Sequence, residues 1–117
     1  MRIRRQLAQL EPSGTTAVSL FSPSGHFEYS VDLILAANTS GAPVDITIYH
    51  DVVGATFDNT TTVLSTQTLN AGETLDFTPG DSQGLSDFRQ DGNIGVKASV
   101  ANAVTFTAYG TVFGEQI

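Results

Sequence analysis

Between Asn93 and Phe113 the chain reads NIGVKASVANAVTFTAYGTVF, with apolar side chains on every second residue: Ile94, Val96, Ala98 and Val100, then Val104, Phe106, Ala108 and Val112. That is the period of a strand buried on one face. Joined through Ala101-Asn102-Ala103, the two runs form a hairpin in which Val100 faces Val104, Ala98 faces Phe106 and Val96 faces Ala108. A two-residue loop slips the register and opposes Ala98 to Thr107. The ribbon then has one apolar face, which a second sheet must cover. The expectation is a β-sandwich with Val96, Val100, Val104 and Phe106 in its core.

The rest of the chain carries the same signal. Thr15 to Phe21 is strand-like and is closed by Ser22-Pro23-Ser24-Gly25. Phe27 to Asn38 places Tyr29, Val31, Leu33, Leu35 and Ala37 on one face and Ile34 and Ala36 on the other, and apolar residues on both faces predict a central strand. The turn NTSGAP, with Pro43 blocking continuation, leads into Val44, Ile46 and Ile48, which alternate with Asp45, Thr47 and Tyr49. Thr60 to Leu69 is threonine-rich and predicts an exposed strand. Asn70-Ala71-Gly72-Glu73 turns the chain into Thr74 to Thr78, with Leu75 and Phe77 inward. From Pro79 to Gly92 no period is clear. Seven or eight mostly antiparallel strands, with turn signals every 8 to 12 residues, predict an all-β single sandwich, and immunoglobulin-like and jelly-roll topologies both fit.

Residues 1–14 stand apart in composition: MRIRRQLAQL, then the breaker Glu11-Pro12-Ser13-Gly14. Ile3, Leu7 and Leu10 sit at helical spacing, but so short a helix is marginal in water. The segment reads as a basic N-terminal arm (1–14) ahead of the sandwich domain (15–117), either loosely packed or ordered by docking on a partner. Beyond Gln6 only Arg89 and Lys97 offset twelve acids, leaving the body at a net charge of −10. A body of that sign repels phosphate backbones and anionic lipid, so neither nucleic acid nor membrane is an expected partner. The arm's positive charge fits an acidic surface, such as a neighbouring copy. Gln6, Gln9 and Glu11 interrupt any secretory apolar run, and no window reaches the roughly 20 apolar residues of a membrane span. With no cysteine there is neither a disulfide nor a thiolate metal site, which fits synthesis in a reducing cytoplasm.

Catalytic signatures are absent. His50-Asp51 is the one adjacent histidine–acid pair, and a surface histidine beside an acid is its ordinary reading; His26 has no such neighbour. Asp81, Asp87, Asp91 and Asn93 offer oxygen ligands, but their spacing does not match a calcium loop. No Gly-x-Ser-x-Gly elbow and no phosphate-binding glycine loop occurs. An enzyme, a cofactor and a metal are therefore not expected. By the parity of the core residues, Tyr49, Tyr109 and Phe113 point outward, where rings stack on sugars or anchor protein interfaces.

Taken in order, TTAVSLFSPSG, LAANTSGAPVDITI, LNAGETL and the closing VKASVANAVTFTAYG resemble the small β-sandwich structural proteins of tailed bacteriophages, particularly marine ones, which begin with a basic arm and end in a similar hairpin. That family carries Gly-Asp before the penultimate strand, where this chain has Asp91-Gly92-Asn93. The resemblance implies a non-enzymatic virion protein, made in the host cytoplasm, that decorates or cements the capsid. Its partners would be the major capsid protein or other virion proteins, and it would form a homo-oligomer, preferably a trimer. Arg2, Ile3, Arg4, Arg5, Leu7 and Leu10 would carry attachment, with Tyr49, Tyr109 and Phe113 as further contacts. The alternatives are a neck, tail or fibre component, or a carbohydrate-binding host-attachment module.

Overall fold

The computed structural model describes residues 2–22, 28–51, 54–78 and 92–113, with Arg2, Ile3, Arg4, Glu28, Val112 and Phe113 described by their backbone. Eight strands run through them: β1 (Arg2–Leu10), β2 (Val18–Phe21), β3 (Glu28–Asn38), β4 (Val44–Asp51), β5 (Thr62–Leu69), β6 (Thr74–Phe77), β7 (Asn93–Ala98) and β8 (Val104–Phe113). One sheet has the order β1-β8-β3-β6 and the other β2-β7-β4-β5. Every pairing is antiparallel, the first strand beside the last, the second beside the seventh, the third beside the sixth and the fourth beside the fifth. A long antiparallel ribbon rolled over on itself gives this nesting, and it defines the jelly roll. Of the two topologies compatible with the sequence, the pairing therefore selects one.

Two expectations need correction. The segment set apart as an arm is strand β1, hydrogen-bonded along β8 from Arg2↔Phe113 to Leu10↔Phe106. Its polar character comes from being an edge strand, and Leu7, Ala8 and Leu10 pack against the core. Nor is 93–113 a hairpin. β7 pairs with β2 and β4, β8 pairs with β1 and β3, and residues 99–103 carry the chain from one sheet to the other. Alternation sends the same residues inward in both arrangements, but here the two apolar rows face each other across roughly 10 Å instead of lying side by side. Asn102 turns this corner at φ 57°, a left-handed conformation that asparagine tolerates. Val96, Val104 and Phe106 are fully buried, whereas Val100, expected in the core, lies on the corner and is 45% exposed.

The core is the space between the sheets. Val31, Ile34, Ala36, Val104, Phe106 and Ala108 from one sheet meet Ile46, Ile48, Ile94 and Val96 from the other, all at zero exposure. Each of the larger side chains contributes about 1.5–3 kcal/mol by leaving water. β3 is central, as its two apolar faces predict, but its inward set changes partway. Tyr29 and Val31 are buried, and after the bulge at Asp32 the buried residues are Ile34, Ala36 and Asn38, leaving Leu33, Leu35 and Ala37 half-buried on the outer face or at the strand end. The bulge shifts the parity by one. Leu7 makes a second bulge on the opposite side of β8. Between the two bulges lies Gly110, where a Cβ would collide with the Ser30 carbonyl oxygen and approach Leu7 Cδ1 to 2.9 Å.

Four of the sheet-to-sheet crossings, at 11–17, 39–43, 70–73 and 99–103, share one end of the sandwich and are bonded to one another. Asn38, 1% exposed, is the hub. Its Nδ2 donates to the carbonyls of Ala42 (2.9 Å), Leu69 (3.0 Å) and Asn70 (3.1 Å), and its Oδ1 accepts from Ser40 N (2.9 Å) and Ser40 Oγ (2.7 Å). Its backbone N donates to Glu73 O and its backbone O accepts from Gly72 N. Thr39 N then donates to Ala103 O, and Asn102 N to Pro12 O, which ties in the remaining two crossings.

Asn38→Ala leaves several of these groups buried and unpaired, so a loss of about 3 kcal/mol is expected in urea unfolding; Asn38→Asp, which lacks the three-way donor, is expected not to restore it. Gly110→Ala is expected to lower stability by about 3 kcal/mol through steric overlap with β3 backbone, read from the same titration.

Candidate functional site

The outer face of the β2-β7-β4-β5 sheet holds a cleft of about 440 Å³ lined by Thr47, Tyr49, Asn59, Thr62, Ser65, Thr66 and Lys97. Register assembles it. Lys97 on β7 lies opposite Thr47 on β4, and Tyr49 lies between Gly95 and Thr62. Thr47 and Thr66 approach through their hydroxyls at 3.5 Å, the long limit of a hydrogen bond. Tyr49 is outward, as its parity predicts, yet it is only 6% exposed because Phe57 covers it, with ring centroids 5.7 Å apart and planes tilted by 33°. Phe57 itself lies over Gly95, where a Cβ would come within 2.6 Å of its ring. An open stacking ring at Tyr49, expected from sequence, is therefore not what the fold presents.

The loop that carries Phe57 is pinned by its own polar residues. Asp58 Oδ1 accepts from Thr60 N (2.8 Å) and Thr60 Oγ1 (2.6 Å), Thr61 Oγ1 donates to Thr56 O (2.7 Å), and Thr62 Oγ1 donates to Asp58 O (2.9 Å). The Thr60 hydrogen bonds hold the Asp58 carboxyl below its ordinary range. Asp51 Oδ2 accepts from Thr56 N (2.8 Å), and Asn93 Nδ2 donates to the carbonyl of Gly54 (2.8 Å), a residue at φ 109° that suits glycine.

The other residues singled out in the sequence gather on the opposite sheet. Among the described residues β1 is an edge strand, so one side of Arg2–Leu10 has no described strand beside it in its sheet. Arg5 is exposed and Leu7 and Leu10 are half-buried. Arg2, Ile3 and Arg4 lie opposite Phe113, Val112 and Thr111, so β1 brings the basic residues beside the end of β8. Tyr109 is half-buried on the outer face, between Gln6 and Leu33 in register. Tyr49 belongs to the other sheet and does not join this group.

No group of three or more His, Cys, Asp or Glu is placed to hold a metal among the described residues. Asp81, Asp87, Asp91 and His26 lie outside those residues. Asn93 is engaged with Ser19 Oγ (2.6 Å) and with Gly54. Sequence reasoning missed Thr47, Asn59, Ser65, Thr66 and Lys97. The outward parity of Thr47 and Lys97 was legible, but their convergence with Ser65, Thr66 and the turn residue Asn59 depends on a three-strand register, with a shift between β4 and β5, that alternation does not contain.

Fold and surface together define a jelly-roll module whose described residues offer contacts and a polar cleft. No family model and no curated protein matches the chain. Solved structures do. A chain in the crystal structure of the T13 particle of infectious bursal disease virus has 17% identity and a TM-score of 0.52, covering 96% of this chain and 30% of its own length. A chain in the structure of the Gx strain of that virus has the same identity and TM-score, covering 96% of this chain and 31% of its own. At this identity the likeness is one of fold, and this chain spans less than a third of those chains.

His50 is half-buried on the inward parity of β4, opposite Ile94, instead of lying on the surface. Burial lowers its pKa below 6.5, and the charge of Asp51 opposes that shift. The unfolded chain therefore binds a proton more readily than the folded one, and stability falls as pH drops below about 6.5. NMR titration is expected to give His50 a midpoint below that value. His50→Gln is expected to flatten the urea-midpoint decline between pH 6.5 and the lower native midpoint; an unchanged decline would assign it to other groups.

Proposed function

We propose that this chain is a non-enzymatic structural protein of a virion, held in the particle by protein–protein contacts. The observation that carries the reading is the fold likeness over 96% of the chain to chains of virus particles. The sequence resemblance to small phage structural proteins narrows it to a protein that decorates or cements the capsid of a tailed phage, in contact with the major capsid protein and with copies of itself.

The edge strand β1 suits attachment. The side of β1 that faces no described strand presents backbone N–H and C=O groups that an extended partner segment can pair with, and Arg2, Arg4 and Arg5 favour an acidic surface. Leu7 and Leu10 extend the contact, Tyr109 on β8 adds aromatic area beside it, and Phe113 ends the same strand. A rigid sandwich that joins neighbouring shell subunits through such an edge resists their separation, and many weak contacts over a shell sum to a strong one. A neck, tail or fibre position uses the same surfaces, and copy number separates the two.

Two measurements test the reading. Quantified particle protein is expected to show hundreds of copies per virion, and a dozen would favour the neck. Arg4→Glu/Arg5→Glu is expected to keep the native circular dichroism while cosedimentation with capsids lacking the protein falls at least tenfold; undiminished cosedimentation would remove β1 from the attachment surface.

A further inference from the structure

We propose that the cleft on the outer face of the β2-β7-β4-β5 sheet is a binding site for an acidic saccharide, a sugar ring that bears a carboxylate. The inference is independent of where the protein sits in a particle, because it rests on the lining of the cleft alone.

Three observations converge on that ligand. Lys97 stands in the row Lys97–Thr47–Thr66 that crosses three strands, and it makes no ion pair with any described carboxylate. In a body of net charge −10, a cation left without an acid partner among hydroxyls is a place for an anion supplied from outside. Tyr49 lines the cleft with its ring covered by Phe57 and the residue 6% exposed, while its hydroxyl makes no hydrogen bond to a described residue and reaches the surface. A tyrosine with a covered ring and an accessible hydroxyl offers a ligand one donor and acceptor at a fixed position. Ser65 and Asn59, both exposed, add a hydroxyl and an amide with no partner among the described residues, each able both to donate and to accept as sugar hydroxyls do.

Size and rigidity agree with the chemistry. A volume of about 440 Å³ is at the lower end of the range for small-molecule sites, enough for one or two sugar rings. The wall is set by the pinned loop and by Phe57 packed over Tyr49 and Gly95, so little ordering remains to oppose binding. The carboxylate sits at Lys97, and the ring hydroxyls meet Thr66, Ser65, Asn59 and Tyr49. An acidic peptide fits less well, because the cleft offers hydroxyl donors without an apolar channel for side chains.

The test is a set of ¹⁵N-HSQC titrations of the full chain with glucuronate, methyl glucoside and acetate to tens of millimolar. Saturable shifts are expected at Thr47, Ser65, Thr66 and Lys97 with glucuronate, at an affinity at least tenfold above methyl glucoside and acetate. Lys97→Gln, an exposed substitution, is expected to erase the preference for glucuronate over methyl glucoside, and Tyr49→Phe to weaken both several-fold while keeping the HSQC dispersion. Equal binding of acetate would overturn the sugar component. Glucuronate shifts unaffected by Lys97→Gln, or no saturable shift, would overturn the site.

Discussion

The buried amide of Asn38 is the interaction on which the rest of the sandwich depends. A jelly roll passes its chain from one sheet to the other at nearly every connection, and each passage turns backbone groups away from the ladders that satisfied them. At one end, the side chain of Asn38 replaces those partners for the 39–43 and 69–70 segments at once, while its backbone holds 72–73. A hydrophobic residue of the same size would fill the volume and leave three carbonyls without donors. The corner is therefore defined by polar geometry, and the apolar core fills in behind it.

β8 plays the corresponding part within its sheet. It pairs along its length with both β1 and β3, which bulge on either side of it at Leu7 and Asp32. The bulges increase local twist and shift the inward parity of β3, so that Tyr29 and Val31 at one end and Ile34 and Ala36 at the other both reach the core. Asp32 is held there by hydroxyls of Ser30 (2.9 Å) and Thr111 (3.2 Å). Gly110 admits the close approach of β3 backbone at that level, which no residue with a Cβ allows.

The two surfaces to which we assign roles are separated by this architecture. The basic edge at β1 belongs to one sheet and the polar cleft around Lys97 to the outer face of the other. A module built in this way can be fixed to an assembly through one surface while the other remains open to solution. Composition announces the basic edge, whereas the cleft is made of ordinary side chains whose convergence lies in their placement.

Local pattern determined that the chain is all-β, that β3 is central, that the stretch from Thr60 to Leu69 holds an exposed strand, and the inward face of strands without a bulge, such as Val44, Ile46 and Ile48 of β4. A period of two is imposed by backbone geometry whatever the neighbours are. The tertiary structure alone decided which strands are neighbours. The 93–113 alternation is identical for a hairpin and for a corner between sheets, and Val100 changes from core to surface between them. Residues 1–14 appear as an arm by composition, yet Arg2–Leu10 become a strand once β8 offers an edge to pair with. Tyr49 is outward by parity and still covered, because Phe57 arrives from a loop whose path depends on the Asp58–Thr62 bonds. Side-chain direction is a local property of the backbone, whereas strand partnership and what lies above a face are set by pairings between residues distant in the chain.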